Sequence, residues 1–82
     1  MDLEKLTKLV ICMEESGELI RACSKVLRHG ITDPKYLENL IDEMGDVKAM
    51  ITVVAHAYDI DQAKIEDRVQ KRLTKMTNPG YT

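Results

Sequence analysis

Four carboxylates in this chain stand on helical faces that are otherwise apolar. Glu15 and Glu18 are spaced i, i+3, and so are Glu43 and Asp46. That spacing puts the two members of each pair on one side of a helix. Along the first face the residues read Ile11, Glu15, Glu18, Ala22; along the second, Tyr36, Asn39, Glu43, Asp46, Met50, Val53, Ala57. Carboxylates gathered in such a seam lose hydration and repel one another unless something positive neutralises them, and a divalent cation does so with a single ion. An all-oxygen donor set suits a hard cation, Mg²⁺ or Mn²⁺, which keeps water or substrate phosphate in its remaining positions. It does not suit zinc, which favours His and Cys. Nor does it suit a ferritin-like di-iron centre with its Glu-x-x-His pairs, because neither His29 nor His56 stands three residues after a candidate glutamate. Glu14 projects about 100° away from Glu15, where it can hold a second metal or orient water. The plain alternative, acids on a solvated helix face, explains one such pair well and two pairs with apolar flanks poorly.

These carboxylates need two helices to hold them. The spacing predicts a first helix over 3–28, with Leu3, Leu6, Val10, Met13, Gly17, Ile20 and Leu27 at 3-4 intervals. Leu9, Cys12, Leu19, Cys23 and Val26 widen that apolar surface, so the helix should touch more than one neighbour. His29 and Gly30 close it, glycine being suited to the position just past a helix end. Asp33 as a cap and Pro34 in the first turn start a second helix over 34–57. Tyr58-Asp59-Ile60 makes a turn, Asp61 caps a third helix over 61–76, and Asn78-Pro79-Gly80 ends it. The expected architecture is all-α: one domain over 1–77, a short tail over 78–82, and a three-helix protomer that assembles into an oligomeric helix bundle.

Composition narrows the class. A domain of 82 residues buries only roughly 60% of its unfolded surface, which makes self-association an expectation. A formal net charge of −2 argues against a nucleic-acid partner. The chain has no run of 18 apolar residues and its amino terminus is charged at once, so neither a membrane span nor a signal peptide is expected. Cys12 and Cys23 lie eleven residues apart on one helix, about 16 Å along its axis, too far to bridge each other. They read as small buried hydrophobes, reduced in a cytoplasmic protein.

On the third helix Ile65, Val69, Leu73 and Met76 form a narrow apolar stripe. Beside it Lys64, Arg68, Lys71 and Lys75 make a basic one, with Arg72 adjacent. An acidic inward face and a basic face together suit a metal-bound phosphate ester, although lysines and arginines simply kept in solvent account for the stripe about as well. Tyr36 and Asn39, on the acid-bearing seam, are candidates for contacting sugar or base. The bland reading of Tyr36 is a core residue at a helix end, and of His56 a core or interface histidine.

Glu14-Glu15-Ser16-Gly17-Glu18, followed after 24 intervening residues by Glu43-Met44-Gly45-Asp46, resembles the EExxE…ExxD signature of the MazG-like all-α nucleoside triphosphate pyrophosphohydrolases. The flanks Met13–Leu19 and Leu40–Val47 are similar to the motif helices of that superfamily, and the resemblance covers residues 3 to 76. It implies a Mg²⁺-dependent hydrolysis of a (d)NTP to the monophosphate and pyrophosphate, as nucleotide-pool housekeeping. By position, Glu15, Glu18, Glu43 and Asp46 would bind Mg²⁺ (or Mn²⁺), and Glu14 would join Glu15 in catalysis. Lys64, Arg68, Lys71, Arg72 or Lys75 would meet the phosphates, Lys71 and Lys75 first, and the enzyme would be a homo-dimer or homo-tetramer. Two readings compete with a general (d)NTP enzyme. One is a relative within the superfamily, phosphoribosyl-ATP pyrophosphohydrolase or a dUTPase-like or dCTPase-like specialist. The other is a non-catalytic helical metal-binding or interaction module.

Overall fold

A computed structural model describes residues 2–78 and 80. Within them the chain forms three helices and no strand: α1 (Leu3–His29), α2 (Pro34–Ala57) and α3 (Gln62–Thr77). The ends lie within one residue of those predicted. Of the expected tail, Pro79, Tyr81 and Thr82 lie outside the described residues.

Each helix starts on an aspartate. Asp2, Asp33 and Asp61 have extended backbones, and each carboxylate accepts the N–H two residues on, from Glu4, Lys35 and Ala63, at 2.9 Å. A cap of this kind is worth about 1 kcal/mol, because it satisfies a helix N–H that otherwise has no partner. The ends are equally local. Gly30 takes φ +91° and donates its N–H to the Val26 carbonyl at 2.8 Å. Asp59 takes φ +52°, a left-handed conformation that Asp tolerates better than most residues, and the Ile60 N–H returns to the Ala55 carbonyl at 2.8 Å.

The short turn at 30–33 folds α2 back antiparallel along α1. At its closed end the rings of His29 and Tyr36 stack, 4.4 Å between centroids and 8° between planes. At its open end the Lys5 ammonium lies 5.9 Å from the Tyr58 ring centroid. On α1 the residues facing α2 include Cys12, Glu15, Leu19, Ala22 and Val26. On α2 the seam runs Tyr36, Leu40, Glu43, Val47, Met50, Val54, Ala57. This corrects the expected course, which alternated through Asn39, Asp46 and Val53. Both courses share Tyr36, Glu43, Met50 and Ala57 and differ in the positions between. Packing against α1 selects the course carrying Leu40, Val47 and Val54, whose side chains bury more apolar area. Asn39 stays at the seam's edge, and Asp46 and Val53 are exposed.

Helix α3 packs extensively on neither partner and shares a cleft with α2, lined by Lys48, Ile51, Thr52, Gln62, Ile65, Glu66 and Val69. The result is a slab, 43 × 33 × 16 Å, with a radius of gyration of 15.5 Å. A compact chain of this length has a radius near 12 Å by the usual scaling. Only Ala22 and Ala55 are fully buried among the described residues. Leu3, Val10, Met13, Ile20 and Leu27, the prominent 3-4 stripe of α1, point to solvent, as does His56. The wide apolar surface of α1 was expected to touch more than one neighbour, and within the described residues it packs extensively against α2 alone. Cys12 and Cys23 are free thiols, Cys12 half-buried and Cys23 exposed. Full burial, expected for both, is absent in the single chain.

Candidate metal centre

Half-way along the hairpin, the α1–α2 seam carries acids instead of aliphatics. Glu15 comes from α1 and Glu43 from α2, both half-buried, and Asp46 stands one turn past Glu43 on the exposed rim. One carboxylate oxygen from each of the three lies within 4.8 Å of the others. Beside them a shallow pocket of about 200 Å³ opens, lined by Glu15, Asp46, Ala49 and Met50. The helices place these groups by register: i, i+3 on α2 sets Glu43 and Asp46 on adjoining lines, and the turn at 30–33 sets which turn of α1 they meet.

The electrostatics are unrelieved. Partial burial raises the pKa of Glu15 above its ordinary value of 4.5, and the negative charges of Asp46, Glu43, Glu18 and Glu14 raise it further. The Glu43 Oε2 atom is buried without a hydrogen-bond partner. A buried acceptor of this kind is costly unless satisfied. The chemistry of the donor set fits a hard divalent cation. Oxygens bound to one Mg²⁺ at about 2.1 Å lie no more than roughly 4.2 Å apart, so the cluster is near to closing on an ion.

Glu18, the fourth expected ligand, is not in this group. It lies one turn along α1, where its carboxylate meets the Arg21 guanidinium at 3.5 Å. The i, i+3 spacing of Glu18 and Arg21 was readable from the sequence, and this pairing went unread there. Glu14 is exposed on α1 next to Glu15. Tyr36 and Asn39 lie toward the closed end of the hairpin on the same helix as Glu43. The Tyr36 ring is stacked on His29, with the Lys35 ammonium 5.6 Å from its centroid. The basic residues stand elsewhere. Lys64, Arg68, Lys71, Arg72 and Lys75 are all exposed on α3, Lys71 is paired with Asp67 at 3.2 Å, and no α3 residue lines the acidic pocket.

The sequence profile of the MazG nucleotide pyrophosphohydrolase domain matches residues 3–79, nearly the whole chain. The chain belongs to the MazG family. The match spans α1, α2 and α3 together. No curated protein and no solved structure matches the chain. Enzymes of the MazG family generally depend on a divalent metal, and this MazG domain has an acidic cluster of oxygen donors. Among its described residues no helix is long and apolar enough to cross a membrane.

Proposed function

We propose that this MazG domain hydrolyses a nucleoside triphosphate between its α and β phosphates, releasing the monophosphate and pyrophosphate, with Mg²⁺ (or Mn²⁺) held by Glu15, Glu43 and Asp46. The observation that carries this reading is the meeting of three carboxylates within 4.8 Å around an orphaned acceptor, Glu43 Oε2. An ion bound there neutralises phosphate charge and makes a coordinated water acidic. The chain's own residues supply the rest. Glu14, exposed beside Glu15, accepts a proton from the attacking water, and the departing pyrophosphate leaves through the open side of the pocket. Glu18 reaches the same face of α1 once it gives up Arg21. Lys71 and Lys75, with Lys64, Arg68 and Arg72, are the candidate phosphate contacts. Within one protomer α3 lies away from the acids, so in this reading they meet the polyphosphate through movement of α3 or from a second chain. Tyr36 and Asn39 are the candidate base and sugar contacts. A homo-dimer or homo-tetramer in the cytoplasm, acting on the nucleotide pool, completes the reading.

The test is a phosphate-release assay coupled to inorganic pyrophosphatase, run across the eight common (d)NTPs, phosphoribosyl-ATP and modified nucleotides, with Mg²⁺ and with EDTA. Metal-dependent release of pyrophosphate is expected, and the panel identifies the base. Saturable Mg²⁺ binding without turnover of any nucleotide would leave a non-catalytic metal-binding module. Turnover unaffected by EDTA would overturn the metal assignment.

A further inference from the structure

The hairpin carries cations on the same side as its carboxylates. At 3.6 residues per turn Lys25 stands about 20° round α1 from Glu18 and about 10 Å further along the axis, with Arg21 between them. The helices run antiparallel, so one sense of rotation away from the seam brings Glu18, Arg21 and Lys25 of α1 to the same side as Asn39 and Asp46 of α2. Among the described residues the half-buried charged side chains are Lys5, Lys8, Glu15, Lys25 and Glu43. Glu15 and Glu43 belong to the acidic cluster, Lys5 lies over the Tyr58 ring, and Lys8 pairs with Glu4 at 3.8 Å. Lys25 alone of these forms no ion pair or ring contact with any described residue.

The helix itself does not explain this run of cations. Arg21, Lys25 and Arg28 repeat at i, i+4 and i+7, where like charges repel. Cations complement a helix dipole only within its last turn, which accounts for Arg28 but not for Arg21 or Lys25. A lysine stem laid along apolar surface accounts for the half-burial of Lys25, though not for a second cation one turn before it. From these placements we infer that Lys25 and Arg21 grip the phosphate chain of a nucleotide whose metal is held by Glu15, Glu43 and Asp46. Their role rests on the pyrophosphohydrolase reading above, and it needs neither movement of α3 nor a second chain. A phosphate gives Lys25 the anionic partner it lacks and relieves the repulsion along α1. Arg21 exchanges partners: its guanidinium leaves the Glu18 carboxylate, 3.5 Å away, for phosphate oxygens, which its planar fork can bind in pairs. Glu18, so released, turns toward the acidic cluster. Phosphate and metal each take one half of the Glu18–Arg21 pair, so the binding of either favours the other.

The probe is inorganic pyrophosphate, the expected product, titrated by calorimetry at saturating Mg²⁺, with KM measured alongside. Lys25→Gln should weaken pyrophosphate binding at least about tenfold, the loss of one hydrogen bond to a charged group. It should raise KM by a similar factor and leave Mg²⁺ affinity and helical circular dichroism unchanged. Lys25→Arg should keep most of the affinity. Arg21→Ala should weaken pyrophosphate binding several-fold. Lys5→Gln removes the same charge at the open end of the hairpin and should change nothing. If the parent turns over nucleotide and either Lys25→Gln or Arg21→Ala binds pyrophosphate as tightly as the parent, the phosphate grip is overturned and the enzyme reading stands. A parent that neither binds pyrophosphate with Mg²⁺ nor turns over any nucleotide overturns both.

Discussion

Glu15 and Glu43 meet across the α1–α2 seam with carboxylate oxygens no more than 4.8 Å apart. Two acids at that separation are tolerated only at a cost to the fold, which an ion removes. Charge-neutral replacement should therefore separate stability from activity. Glu15→Gln and Glu43→Gln should each lower pyrophosphate release by roughly 100-fold or more, a larger effect than removing an outer partner of a metal site. The helical circular dichroism should be retained. Steady-state assays and far-ultraviolet spectra of the purified variants check both halves.

The raised pKa of Glu15 has a definite sign in its pH dependence. The folded state binds the Glu15 proton more tightly than the unfolded state, whose value is near 4.5. Stability from this group is therefore greatest at low pH. It falls as pH rises from about 4.5 through the folded pKa, and at neutral pH the full penalty applies. In EDTA, Glu15→Gln should melt higher than the parent at pH 7, and the difference should vanish below pH 4.5. Paired thermal melts from pH 4 to 8 measure this. A variant that melts lower than the parent at pH 7 would show that Glu15 is not under charge stress.

Metal should act as a fold ligand. At a free Mg²⁺ concentration of 100 times Kd, mass action adds about 2.7 kcal/mol. For a domain of this size that raises the melting temperature by roughly 10–20 °C. Calorimetric titration should show saturable binding in the parent and a large loss of affinity in Glu43→Gln. Scanning calorimetry with and without EDTA gives the shift.

Arg21 holds Glu18 away from the cluster at little energetic gain. Both side chains are substantially exposed, and a pair of that kind contributes about 0.2–1 kcal/mol. Arg21→Ala should cost less than 1 kcal/mol in stability and should tighten Mg²⁺ binding by freeing Glu18. Glu18→Gln should cancel that gain. Urea unfolding and metal titration of the two single variants and the double variant test it.

The basic stripe of α3 should act on substrate affinity alone. Lys71→Ala and Lys75→Ala should raise KM several-fold and leave Mg²⁺ affinity and helical content unchanged. The exposed pair of Lys71 with Asp67 has little stability to lose. A fall in kcat with an unchanged KM would move these lysines out of the phosphate site.

Most of the architecture was legible because its signals are local. Asp33-Pro34, His29-Gly30 and Asp61 fix the helix ends through bonds spanning two to four residues, and each stands where it was expected. The seam of α2 was half legible. Tyr36, Glu43, Met50 and Ala57 satisfy either alternation, and only the placement of α1 chooses Leu40 over Asn39 and Val47 over Asp46. Consequently the four acids read as one cage divide into a half-buried pair, a rim residue and an arginine-paired neighbour. The i, i+3 rule gives a side chain's helix face but not the rotamer or partner it takes. The outer stripe of α1 was visible as hydrophobic periodicity, yet periodicity alone does not say whether a face meets its own chain or another. In the protomer Ile20 and Leu27 are largely exposed.

The four-residue turn between α1 and α2 also orders events in time. Antiparallel helices joined so closely zip from the turn outward, the stack of His29 on Tyr36 forming early and the contact of Lys5 with Tyr58 late. Contacts that grow outward from a short loop incur little added closure entropy at each step, and helical chains of this kind fold in microseconds to milliseconds. The carboxylates lie midway, so the advancing zipper meets its main electrostatic obstacle after the turn is secure and before the open end is made. Divalent ions should then quicken refolding as well as slow unfolding, making the acidic cluster a checkpoint in the kinetics of the hairpin.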